Sequence, residues 1–72
     1  MRNDTTALTV KLGKRIAAYR VANNLSQEAL ASKLGITRGY LSDLERGARE
    51  MSLETFAAFS KKTGVTPNDL LR

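Results

Sequence analysis

Four times along the chain an apolar residue is followed by Ser or Thr, and a second apolar residue stands four positions after that hydroxyl. The sites are Leu25-Ser26 with Leu30, Ile36-Thr37 with Leu41, Met51-Ser52 with Phe56, and Val65-Thr66 with Leu70. A hydroxyl in this place caps orphan amides at the start of a helix. The apolar pair around it closes a hydrophobic staple over the first turn. At the last site Pro67 and Asp69 strengthen the signal, since Pro suits the first helical position and an acid the third. Stops are equally legible: Asn23-Asn24, Gly35, Gly47 and Gly64. The pattern therefore predicts helices at about 8–23, 27–34, 38–46, 53–63 and 67–71, with no competing strand pattern. Residues 1–6 show no helix signal and read as a polar, mobile arm.

Helical spacing turns Leu8, Leu12, Ile16 and Tyr19 of the first helix toward a core, and Leu30, Ala31 and Leu34 of the second. The third start follows Gly35 by only two residues, so the chain must turn sharply between the second and third helices. Ala31, near that turn, is small enough for their close approach. Two short helices joined this way, over about 27–46, form a helix-turn-helix, a device for placing one helix in the DNA major groove. The third helix has two faces. Tyr40, Leu41 and Leu44 group on one side, and Arg38, Gly39, Ser42, Asp43 and Arg46 on the other. Arg can bridge O6 and N7 of guanine, and Ser or Asp can meet donors on base edges. A polar helix face is commonly only solvated; within a helix-turn-helix, DNA contact is the stronger reading.

Seventy-two residues form one domain, 1–72, with a thin core. The absence of Cys and His excludes disulfides, Cys- or His-ligated metals and imidazole catalysis. No cofactor, no metal and no catalytic constellation is expected, and the chain reads as a non-enzyme. No apolar run is long enough for a membrane span or signal sequence, so the expected compartment is the cytoplasm. The net charge of +5 favours an anionic partner. Its distribution carries less weight. Between Gln27 and Glu50 the basic Lys33, Arg38, Arg46 and Arg49 are matched by Glu28, Asp43, Glu45 and Glu50.

From Leu12 to Leu71 the chain resembles the phage repressor and Cro-like helix-turn-helix family, the XRE type. The matching words are LSQEALASKLGITRGYLSDLERG and MSLETFAAFSKKTGVTPNDLL. The segment RGYLSDLERGAREMSLE is also similar to the controller proteins of restriction-modification systems, although Glu50 replaces their more frequent Asn. A prophage or plasmid repressor would look nearly the same. The resemblance implies an all-α, five-helix, lambda-repressor-like domain that binds operator DNA as a dimer. It places Gln27 on a phosphate, or bracing a recognition residue. It sets Thr37, Arg38 and Gly39 at the start of the recognition helix, and Ser42 and Asp43 at further groove-facing positions. Gly39 departs from the family's usual polar residue. Arg46 matches a cation that contacts phosphate after the recognition helix, and Arg49, in the following loop, one that touches the DNA backbone or a base. Glu45 is implied to pair with Arg20 and stiffen the unit, because an acid at a DNA surface repels phosphate and an unpaired buried charge is costly.

Tyr40 lies nearer the apolar side and reads first as packing. Phe56, Ala57 and Phe59 cannot all face inward, so one Phe, with Val65, Leu70 or Leu71, is either an extra core residue or a surface for a partner subunit. The expected function is a homodimeric transcription regulator on a palindromic operator of double-stranded DNA. It would act by blocking RNA polymerase or by touching it. The alternative is an antitoxin-like or other protein-binding module on the same fold.

Overall fold

The computed structural model describes residues 6–72. Five helices follow in order: α1 (Ala7–Ala22), α2 (Gln27–Leu34), α3 (Arg38–Glu45), α4 (Leu53–Thr63) and α5 (Pro67–Leu71). Residues 1–5 of the expected arm lie outside the described residues. Thr6, assigned to that arm, instead caps α1: its hydroxyl accepts from the Thr9 amide at 3.1 Å. The four other caps behave alike, with Ser26, Thr37, Ser52 and Thr66 accepting from Ala29, Tyr40, Thr55 and Asp69 amides at 3.0–3.1 Å. Thr6 lacked the apolar residue before the hydroxyl that marks the others, so the staple pattern passed over it.

The core gathers Ile16, Leu30, Ala31, Leu34, Leu41, Phe59 and Leu70, all buried. Around it pack Leu25, Ile36, Met51 and Val65, the residues that precede the four hydroxyl caps. Each staple thus joins a helix start to the common core. Tyr19 meets Phe59 edge-on, with centroids 5.3 Å apart. Phe59 is the inward aromatic of α4, whereas Phe56 is half-buried and Ala57 exposed. Leu8, expected in the core, is half exposed; it sits beside Leu12, Met51, Leu53, Phe56 and Leu71 around a shallow apolar groove.

Two close approaches set where α3 lies. Gly35 ends α2 at φ 74°, and the Ile36 amide returns to the Ala31 carbonyl at 3.0 Å, which turns the chain directly into the Thr37 cap. Gly13 sits mid-helix in α1, where a Cβ would stand 2.0 Å from the Leu44 carbonyl oxygen. Only glycine lets α1 cross α3 this closely.

Candidate nucleic-acid interface

The third helix is held from behind by a polar brace. The Arg20 guanidinium donates from Nε to Glu45 Oε2 at 2.7 Å and from Nη2 to Glu45 Oε1 at 3.0 Å. Its Nη1 donates to the Leu25 carbonyl at 3.0 Å, and Gln27 Nε2 donates to Glu45 Oε1 at 3.1 Å. One carboxylate therefore ties the end of α1, the entry to α2 and the last turn of α3. The Glu45 side chain is only 7% exposed and that of Arg20 20%. A planar guanidinium matches a carboxylate two-to-two, which offsets the desolvation of both. The hydrogen bond to Glu45 raises the Arg20 pKa further against the opposing effect of burial. Among the described residues no buried side-chain polar atom lacks a partner.

Leu41 and Leu44 anchor the inner face of α3, and Arg38 and Gly39 are exposed on its outer side. Ser42 and Asp43 are half-buried. Asp43 pairs with Arg46 one turn on, at the exposed cap of α3. Gln27, given a phosphate contact or a bracing role, points its amide at Glu45 and so belongs to the brace in this state. Thr37 caps the helix and remains exposed. Arg49 lies with its guanidinium carbon 5.1 Å from the Tyr40 ring centroid, a cation–π arrangement. The Tyr40 hydroxyl accepts from the Ser52 amide at 3.1 Å, so this ring links α3 to the start of α4. Burial pushes the Tyr40 phenol up, but hydrogen bonds from Ser52 and Thr55 and the Arg49 charge together bring it below its ordinary value.

The arrangement separates its charges by role. Arg38, Arg46 and Arg49 are exposed, while Glu45 is nearly buried against Arg20. Arg38 has no ion-pair partner among the described residues, and it stands on the first turn of α3, where a helix entering a groove presents its tip. Among the described residues no cluster of acidic side chains could hold a metal ion, and no helix is long and apolar enough to cross a membrane. Sequence reasoning missed Gly13 and the Leu25 carbonyl. A glycine inside an otherwise good helix was the available signal for the first; a backbone acceptor leaves none.

Residues 16–70 match the family model described as Helix-turn-helix. Over 68 residues the chain is 40% identical to the control protein C.BamHI of Bacillus amyloliquefaciens, covering 93% of this chain and 84% of the relative. In structure it is similar to the restriction-modification controller protein C.AhdI of Aeromonas hydrophila, with TM-score 0.81 and 37% identity over 90% of this chain and 98% of that one. It is also similar to C.Esp1396I bound to a 25 base pair operator site, with TM-score 0.78 and 26% identity over 90% of this chain and 86% of that one.

Proposed function

This chain belongs to the helix-turn-helix family, and from that premise we propose that it is a DNA-binding transcription regulator of the restriction-modification controller type. The observation that carries the reading is the exposed outer face of α3, with Arg38 on its first turn unpaired among the described residues, set on a helix whose last turn is locked by Arg20, Glu45 and Gln27. A helix that reads base edges must be placed to within a fraction of an ångström, and the brace supplies that rigidity. Arg38 is the principal base reader, with Ser42 and Asp43 beside it. Thr37, Arg46 and Arg49 fix the register on phosphates. Gln27 keeps the brace through its amide on Glu45.

The protein acts by occupancy and carries out no chemistry. Its compartment is that of the DNA, the cytoplasm. One module reads too few base pairs for useful specificity, so two copies related by a twofold axis bind half-sites about 34 Å apart, one helical turn. The groove framed by Leu8, Leu12, Met51, Leu53, Phe56 and Leu71 supports this pairing, for Leu53 is 84% exposed, an unusual place for so large an apolar side chain. Selection of duplex DNA from a random pool at physiological salt, with excess non-specific competitor, tests the reading. An enriched palindrome with half-sites one turn apart is the expected result. Binding that is only general and salt-sensitive, or absent, would overturn it in favour of a protein-binding module.

A further inference from the structure

Four of the five glycines have a reason inside the fold. Gly35, Gly47 and Gly64 adopt positive φ, and Gly13 abuts the Leu44 carbonyl. Gly39 has none. Its φ is not positive, and a Cβ added there would meet nothing within 4 Å among the described residues. Glycine nevertheless weakens a helix relative to alanine, because more backbone freedom is lost on folding. A helix of eight residues has little to spare.

The position is central to the outer face. At about 100° per residue, Gly39 points roughly 170° away from the bisector of Leu41 and Leu44, the two residues that anchor α3. Arg46 and Asp43 fall close to the same direction, and Arg38 flanks it. Anything docking squarely on α3 comes nearest at Gly39. The Thr37 hydroxyl takes the Tyr40 amide, so the cap does not cover the Gly39 backbone.

Resting on the regulator reading above, we infer that Gly39 is a specificity-determining position: a base-pair edge packs directly on the bare α3 backbone, in space that any side chain would fill. The glycine sets how deeply α3 enters the groove, and with it which base edge fits beneath the helix while Arg38 reaches its own. A thymine methyl is the bulkiest such edge in the major groove.

Gly39→Ala separates this from a structural role. The duplex selected by the wild-type chain and a scrambled duplex serve as probes, with melting followed in parallel. The variant is expected to melt higher by roughly 2–8 °C. It should bind the selected duplex roughly 5- to 150-fold more weakly and the scrambled one unchanged. A fresh selection with the variant should change the preferred base at one symmetry-related position in each half-site. Unchanged affinity and an unchanged selected sequence would overturn the inference while leaving the regulator reading intact. Equal weakening on both duplexes, or a lower melting temperature, would also overturn it, by making Gly39 a backbone-clearance or folding residue. If the wild-type chain itself selects no duplex, both readings fall together.

Discussion

The two sides of α3 carry the same kinds of charged residue under opposite conditions. Behind the helix, Arg20 and Glu45 meet in a two-point pair that is mostly out of water and shared with Gln27 and the Leu25 carbonyl. In front, Asp43 and Arg46 pair across one turn, with the Arg46 side chain 63% exposed. The rear pair cannot lose a member without stranding a charge at low exposure. The front pair exchanges readily with solvent or with another anion, since exposed pairs contribute little, about 0–1 kcal/mol. A carboxylate is therefore compatible with a DNA surface in two ways: buried as a brace, or exposed as a partner that a phosphate can displace from its arginine.

The comparison breaks most visibly from the rear. Arg20→Ala removes both contacts to Glu45 and leaves a nearly buried carboxylate held by Gln27 alone. A loss of about 2–4 kcal/mol of stability is expected, short of a fully buried pair because Arg20 is partly solvated. In a thermal melt this lowers the midpoint by roughly 10–25 °C, and a wild-type midpoint would remove the brace from the account. Gly13→Ala attacks the same placement through backbone contact. With the new Cβ aimed at the Leu44 carbonyl, α1 and α3 must separate, at a cost of about 1–3 kcal/mol by denaturant titration. Duplex affinity should fall with it, because α3 is displaced from its brace.

From the front, stability and binding come apart. Arg38→Ala is expected to weaken binding to the selected duplex by about 1–3 kcal/mol and to relax preference at one base pair. Its melting midpoint should stay at the wild-type value. Unchanged base preference would take Arg38 out of the reading role. Arg46→Ala is the mildest. It should weaken binding to all duplexes alike and reduce the salt slope by about 1, as expected for one phosphate contact. A slope identical to the wild type would mean that Arg46 stays with Asp43 in the complex.

The contrast between front and rear also marks what could be read from sequence. Helix starts at Ser26, Thr37, Ser52 and Thr66 were legible because capping is local: the hydroxyl and the amide it meets are three residues apart. The cap at Thr6 was not, because it dispenses with the apolar residue that made the others stand out. The outward set Arg38, Gly39, Ser42, Asp43 and Arg46 followed from helical period alone. That Asp43 would hold Arg46, and that Gln27 would turn to Glu45, did not follow, since each side chain had more than one partner within reach. The Arg20–Glu45 pairing came from family resemblance, as the two lie 25 residues apart. Leu8 kept the inward spacing of its helix yet lies in the first turn of α1, at a shallow groove with Leu53 and Leu71 that leaves it half exposed.

By itself, then, the amino-acid sequence determined five helices, four of their five N-terminal caps, their turns, and which face of α3 looks outward, because these depend on interactions spanning a few residues. Only the tertiary structure decided how near α1 comes to α3 at Gly13, which acid is buried and which exposed, and that Gly39 has no neighbour among the described residues to explain it. Those outcomes depend on where separate helices meet, and the same local pattern is compatible with several such meetings until the core at Ile16, Leu30, Leu41 and Phe59 has closed.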